Sequence, residues 1–322
     1  MEKTNGSSEN MWLNGIMGVA VGDALGFPVQ FMYREEVAER PVAGMEECRL
    51  FSGKAGTWSD DTSMTMAMLD SIREMNRIDA RDIMNRFEAW LYEAKYCSLD
   101  MAIDIGAACE DSIVRYHKSR DITTCGKTGE HANGNGSLMR TLPICLFYAD
   151  KVERGEVPVE KAIEDIHQVS ALTHNHIRAC IGCGLYFFAV KAILFREGTL
   201  TERLQAGMDE AFAFYKNDIA GLKDLMYYGR LMDLTEFGKT ESDVIRSSGY
   251  VVHTLEAAIW SLITTDSFPE ALLKAVNLAD DADSVGAVAG GLAGLYYGYE
   301  SIPEEWLRAL IRRDWLEAMC SS

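Results

Sequence analysis

Apolar residues recur at intervals of three and four along most of this chain, the spacing that gathers them on one face of a helix. Ile83, Phe87, Trp90, Leu91 and Ala94 make one such stripe, and Val159, Ile163, Ile166 and Val169 make another. Ser267 with Glu270 reads as a capping box ahead of Leu272, Leu273 and Val276. Runs with the two-residue alternation of a strand are few and short, so an all-α fold is predicted. Two helices are rich in small residues: Gly15, Gly18, Gly22 and Gly26 punctuate the first, and Gly286, Ala289, Gly290, Ala293 and Gly294 a late one. A glycine inside a helix costs about 1 kcal/mol against alanine. So many of them predict close backbone approach at the centre of a bundle. Residues 117–137, rich in Thr, Gly and Asn, read as the longest irregular segment, and 228–249 as a second. The polar residues 1–10 read as a disordered tail. No Pro/Ser linker, low-complexity tract or fixed-period repeat divides the remainder, so residues 11–322 are expected to form a single domain.

Composition narrows the classes of function. The chain has 322 residues, 48% of them apolar and only 6 prolines, enough to bury a large core without disulfides. Its 8 cysteines are scattered, and residues 1–11 carry no apolar signal region, which predicts reduced thiols and a cytoplasmic protein. Cys180 and Cys183 have C-x-x-C spacing within an apolar helical run that offers no second ligand pair, so they read as buried structural thiols. A net charge of -18 provides no basic stripe for nucleic acid. It leaves room for a small phosphate-bearing ligand, because metals and helix N-termini supply local positive potential. No membrane span is expected: the longest apolar stretch, Ile177 to Phe195, carries Arg178 and Lys191, and Gly286 to Gly298 is too short.

Four segments carry candidate chemistry. Ser59-Asp60-Asp61-Thr62 and Asp280-Asp281-Ala282-Asp283-Ser284 each place carboxylates and a hydroxyl at a helix start. Either alone reads as an acid-rich helix N-terminus. Facing one another, they would supply four carboxylates and two hydroxyls, hard oxygen donors suited to Mg²⁺ or Mn²⁺. Asn133-Gly134-Asn135-Gly136-Ser137 is either an ordinary tight turn or a loop whose bare backbone approaches a phosphate. Thr173-His174-Asn175-His176 sits at a helix end, where a histidine caps the helix or lines a pocket.

Taken in order, these segments resemble the ADP-ribosylglycohydrolase family over nearly the whole chain, from Gly15 to about Gly298. Gly18-Val19-Ala20-Val21-Gly22-Asp23-Ala24-Leu25-Gly26 is similar to its opening helix, Trp58 to Thr62 to its first metal motif, and Asn133 to Arg140 to its asparagine-glycine loop. Thr173-His174 and Asp281-Ala282-Asp283-Ser284 are similar to its Thr-His segment and second metal motif. The resemblance implies a compact multi-helix bundle with a central cleft holding two Mg²⁺ (or Mn²⁺), bound by Ser59, Asp60, Asp61, Asp281, Asp283 and Ser284. It implies that Asn133, Gly134, Asn135, Gly136 and Ser137 hold a diphosphate and that His174 borders the ribose or adenine. The implied reaction is hydrolysis of the C1″ glycosidic bond of ADP-ribosylated protein side chains, or of a small ADP-ribose conjugate. Asp60, Asp61 or Asp281 would orient or deprotonate the water. Asp23 reads as structural, holding the opening helix. The chain departs from the family at Ser59 and Ser284, where threonine is usual, and at Ala279, where glycine is usual. It departs again at Gln30, where many members have a glutamate that contacts a metal or handles a proton; a glutamine is no carboxylate base. The alternatives are a catalytically weak ADP-ribose-binding relative and a hydrolase of another N-riboside or nucleotide.

Overall fold

Helical periodicity is realised along most of the described residues. The computed structural model describes residues 8–48, 53–217 and 221–321. Helices α1 (Ser8–Gly26) and α2 (Arg34–Glu39) are followed by α3 (Asp60–Met75), α4 (Ala80–Glu93) and α5 (Ala107–Ser119). After an irregular segment come α6 (Leu142–Glu153), α7 (Val159–Ala171), α8 (Ile177–Phe195) and α9 (Leu200–Tyr215). Two short helices, α10 (Leu222–Leu225) and α11 (Leu234–Phe237), lead to α12 (Val251–Ile263), α13 (Phe268–Val276) and α14 (Ala282–Tyr297). The chain closes with α15 (Glu304–Ala309) and α16 (Arg313–Ser321). Residues are 67% helical, and the described residues form only isolated bridges, such as Lys127 with His174 and Gly134 with Tyr250. Of the segment expected to be a tail, residues 1–7 lie outside the described residues, and α1 is helical from Ser8.

The predicted stripes face inward. Ile83, Phe87 and Trp90 of α4 and Ile163, Ile166 and Val169 of α7 are buried. Ser267 caps α13 by accepting the Glu270 N–H, but the Glu270 carboxylate turns back to the Asp266 N–H, so the expected box is closed one residue early. All eight cysteines are buried and none forms a disulfide among the described residues; Cys180 and Cys183 pack in α8 against α7 and Ser137. Residues 228–249 differ from the irregular stretch expected. Tyr228, Leu231, Leu234 and Phe237 are buried at spacing three within short 3₁₀ and α turns, a pattern that Gly229 and Gly238 break up in the sequence.

Two windows, Met11–Val29 and Ile177–Phe195, are long and apolar enough to cross a bilayer, the first in addition to the stretches named from the sequence. Here 78% and 89% of them are buried against other helices. The charges on α8 are satisfied within the fold, Arg178 by Glu130 and Asp224 and Lys191 by Glu210.

The glycine helices form the axis of the bundle. A Cβ added to Gly18 would overlap the Gly290 carbonyl oxygen, one on Gly22 that of Gly286, and one on Gly26 that of Ala282. Each step of four forward on α1 meets a step of four backward on α14, so the pair is antiparallel with backbones in contact. This register sets the C-terminal end of α1 against the N-terminal end of α14.

Candidate active site

That end of the α1–α14 pair gathers both aspartate clusters. Asp23, one turn before the end of α1, accepts hydrogen bonds from the Ser59 N–H (2.9 Å) and the Thr62 N–H (2.9 Å), and from the Thr62 hydroxyl. It thereby caps α3 from another helix, with a carboxylate where the helix dipole favours one. Asp23 is structural, as expected, and what it holds is the junction of α1 with α3. Ser59 caps the same helix by accepting the Asp61 N–H, while Asp281 is the cap residue of α14. The two clusters touch. The hydroxyls of Ser59 (3.2 Å) and Ser284 (3.4 Å) both donate to one oxygen, Asp61 Oδ2.

The electrostatics are unbalanced. Asp23, Asp60, Asp61, Asp281 and Asp283 crowd together with Asp104, and none of them forms a salt bridge among the described residues. Burial lifts Asp23 and Asp281 to about 6, the Asn135 hydrogen bond opposing the rise at Asp281. Burial, then the neighbouring carboxylates, pushes Asp60, Asp61 and Asp283 well above the usual range. Asp61 Oδ1 and Asp283 Oδ2 are buried without a hydrogen-bond partner. Among the described residues no three His, Cys, Asp or Glu side chains already stand as a metal-holding group. The donor chemistry nevertheless fits a hard cation: orphaned carboxylate oxygens, two serine hydroxyls, and no lysine or arginine in a salt bridge with them among the described residues. Gln30 is buried just past α1, beside Asp104, with neither end of its amide in a fully formed hydrogen bond.

Ala279 lies in the left-handed region with φ 61° and Asp280 follows at φ 59°, a turn that sends Asp280 to solvent and Asp281 inward. Alanine at a left-handed position costs roughly 1 kcal/mol that glycine avoids. This is the physical content of the departure from glycine noted in the sequence.

A cleft of about 640 Å³ opens over the carboxylates. Phe31, Asp60, Asp104, Asp281 and Ser284 line it together with Gly134, Gly136 and His174. The asparagine-glycine loop is stitched in place by the Asn135 N–H to Gly249 O and by the Val251 N–H to Asn133 O. The Asn135 amide donates to Asp281 Oδ2 (2.6 Å) and Thr254 Oγ1 (2.9 Å), which sets the loop directly beside the second cluster. Two residues of the loop fall outside the cleft lining. Asn133 contributes its carbonyl to the stitch. The Ser137 hydroxyl is committed to the core, meeting Ser170 Oγ (2.8 Å) and Cys183, because the chain turns under at Gly136.

His174 is held by a directed chain of hydrogen bonds. Buried Arg140 donates to Thr173 Oγ1 (2.8 Å) and to the Gly136 carbonyl, and Thr173 Oγ1 meets His174 Nδ1 at 2.8 Å. Arginine only donates, so the Thr173 oxygen accepts from it and the threonine proton goes to Nδ1. Burial lowers the imidazole to about 3, so it is neutral. Its own proton therefore sits on Nε2, the nitrogen beside Gly134 and Gly136 on the cleft wall. A side chain at Gly136 would strike this ring.

Sequence reasoning missed Asp104, Phe31 and the start of α5 at Gly106–Cys109, all part of the lining. Asp104 sits in a loop at φ 56°, and no motif marks it.

Comparison with known proteins identifies the family and the fold. The model of the ADP-ribosylglycohydrolase family matches residues 7–322. An ADP-ribosylarginine hydrolase (Tri1) of Serratia proteamaculans (strain 568) is 30% identical over 299 residues, covering 93% of this chain and 75% of that protein. The ADP-ribosyl-[dinitrogen reductase] glycohydrolase of Rhodospirillum rubrum is 30% identical over 312 residues, covering 95% and 92%. A solved structure described as an ADP-ribosylglycohydrolase-related protein complex superposes with a TM-score of 0.78 at 29% identity, covering 98% of this chain and 96% of its own.

Proposed function

This chain belongs to the ADP-ribosylglycohydrolase family and is a glycosidase-type hydrolase, and from that premise we propose that it removes ADP-ribose from ADP-ribosylated protein, with arginine as the acceptor. Arginine is supported by the relatives at 30% and 32% identity that are named ADP-ribosylarginine hydrolase, against 25% for the Bos taurus ADP-ribosylhydrolase ARH3. The observation that carries the reading is the meeting of the two clusters at Asp61, which leaves Asp61 Oδ1 and Asp283 Oδ2 buried without a hydrogen-bond partner.

Ser59, Asp60, Asp61, Asp281, Asp283 and Ser284 are the residues that would hold two Mg²⁺ or Mn²⁺. When bound, such ions supply Lewis acidity toward the ribose hydroxyls and toward water. The other tasks fall to the chain. Gly134 and Gly136 bare the backbone in the cleft lining, where a diphosphate fits, and His174 holds a neutral Nε2–H donor beside them. As the C1″–nitrogen bond breaks, positive charge develops on the ribose, and the carboxylates of the cleft stabilise it. Asp60 and Asp281 line the cleft and are the groups placed to take the proton of the attacking water; Asn135 fixes the orientation of Asp281. Gln30 is neutral and takes no proton. The eight buried thiols, joined by no disulfide among the described residues, support a cytoplasmic setting.

The test is release of free ADP-ribose from arginine-ADP-ribosylated protein, with Mg²⁺ or Mn²⁺ and with chelator, beside a serine-linked substrate. Turnover should need the metal and favour arginine, and Asp60→Asn should lower kcat by roughly 100-fold or more. Unchanged turnover in both Asp60→Asn and Asp283→Asn would sink the mechanism. Tight ADP-ribose binding without release from either substrate would favour a reader over an enzyme, the reading that Gln30 supports.

A further inference from the structure

We propose that the rim Phe31-Met32-Tyr33, with the hollow behind it, is the acceptor-binding surface: it seats the stretch of polypeptide flanking the ADP-ribosylated side chain. The inference rests on the function proposed above.

Three consecutive large apolar side chains stand in solvent here, Phe31 at 65%, Met32 at 36% and Tyr33 at 75% exposure. Exposed apolar groups in a contiguous patch mark contact surfaces. These are also rigidly presented. The Phe31 N–H donates to the Asp280 carbonyl and the Asp280 N–H to the Met32 carbonyl (3.1 Å). The next residue, Arg34, spends its guanidinium on the carbonyls of Leu278, Ser242 and Ile245. Phe31 itself is held at φ 59°, a left-handed conformation that costs a non-glycine residue roughly 1 kcal/mol. The fold thus spends backbone energy to display an aromatic ring, and such strain concentrates where ligands are met.

Position identifies the occupant. Phe31 belongs to two concavities, the cleft and a neighbouring hollow of about 550 Å³. Within the cleft it lies beside the second aspartate cluster, its N–H bonded to the Asp280 carbonyl. The scissile bond belongs beside the carboxylates, so what is attached to the ribose leaves the cleft over Phe31 and enters the hollow. Its floor is apolar, from Ile245 and Leu278, and Ser247 and Ser248 add hydroxyls. Exposed Arg246 lines it and forms no salt bridge among the described residues. This combination fits an extended peptide that lays an apolar side chain on Met32 and Tyr33 and a backbone carbonyl beside Arg246, while Glu35, Asp243 and Asp280 in the same lining disfavour a carboxylate.

The experiment compares two substrates with the same glycosidic bond: arginine-ADP-ribosylated protein, and ADP-ribosylarginine without polypeptide. Tyr33→Ser with Arg246→Glu changes exposed side chains outside the cleft. In this double variant kcat/KM on the protein substrate should fall about tenfold, mainly through KM, while that on ADP-ribosylarginine stays within about twofold. Equal changes on both substrates, or no change on either, overturn the inference and leave the proposed function standing. Wild-type protein inactive on both substrates overturns the function and the inference together.

Discussion

At the scale of single residues, most of the chemistry turns on where protons sit. The chain Arg140–Thr173–His174 fixes one of them. Were the imidazole proton on Nδ1, Thr173 Oγ1 would face two donors and its own proton would turn to the Cys109 thiol, a weaker sulfur acceptor in a fully buried setting, at a cost of roughly 1 kcal/mol. We therefore expect ¹⁵N–¹H spectra of the wild-type protein to show His174 as the neutral Nε2–H tautomer. Substitutions separate the two nitrogens. In His174→Gln the amide NH₂ reaches the Nε2 position and keeps a donor on the cleft wall, whereas His174→Asn reaches only the Nδ1 position. Calorimetry should find ADP-ribose binding about tenfold weaker in His174→Asn than in His174→Gln, the worth of one hydrogen bond of about 1.4 kcal/mol. Equal affinity in the two variants, or an Nδ1–H signal in the wild type, would show that the relay does not set the proton.

At the scale of elements, the contact between α1 and α14 positions the site, because Asp23, Gln30 and both aspartate clusters lie at its one end. Gly22→Ala should be costly, since the added methyl meets the Gly286 carbonyl and the Ala287 nitrogen, backbone atoms that give way only by separating the helices. Gly15→Ala is the control: its nearest neighbours are the side chains of Leu142 and Leu295, which can rotate aside. Overpacking of about 1–3 kcal/mol should lower the Tm of Gly22→Ala by roughly 5 °C, with a smaller shift for Gly15→Ala; scanning calorimetry decides, and equal shifts would contradict tight backbone contact. The four-residue glycine spacing was legible on each helix, because close approach needs small residues at every turn. The partner and direction of each helix were not, since both stripes read alike. The aspartate clusters were legible as local motifs, and their convergence followed only from the antiparallel register. Asp104 escaped notice because a loop carboxylate has no periodicity to betray it. Ser137 was misread because one residue beyond Gly136 the chain turns its side chains from the cleft to the core.

At the scale of the whole molecule, a chain of net charge -18 has buried part of its negative charge in one place. Without a cation, this makes stability depend on pH in a definite sense. Asp23 and Asp281 titrate near 6 in the fold against the usual 3.8, and burial raises Asp60, Asp61 and Asp283 as well. The folded state then binds more protons than the unfolded chain. The stability these groups contribute is full below the unfolded pKa and is lost as pH rises through the folded one. His174 acts oppositely: its pKa falls from 6.5 to about 3 on folding, so its contribution is lost as pH falls below 6.5. Five carboxylates outweigh one imidazole, and chelator-treated protein should melt higher at pH 5.5 than at pH 7.5, an interval that brackets the Asp23 and Asp281 values of about 6. Saturating Mg²⁺ should reverse the slope. The cation supplies the missing counter-charge at pH 7.5, worth about 2.7 kcal/mol at a concentration 100 times its Kd, and protons compete with it at pH 5.5. Asp283→Asn separates the cluster from the overall charge. It leaves the protein's global titration almost intact and removes one buried carboxylate, so the chelated variant should melt above the chelated wild type at pH 7.5 and gain less from Mg²⁺. Melting curves of the two proteins, with Mg²⁺ and with chelator at both pH values, decide the matter: parallel curves would mean that the carboxylates are neither strained by one another nor relieved by a cation.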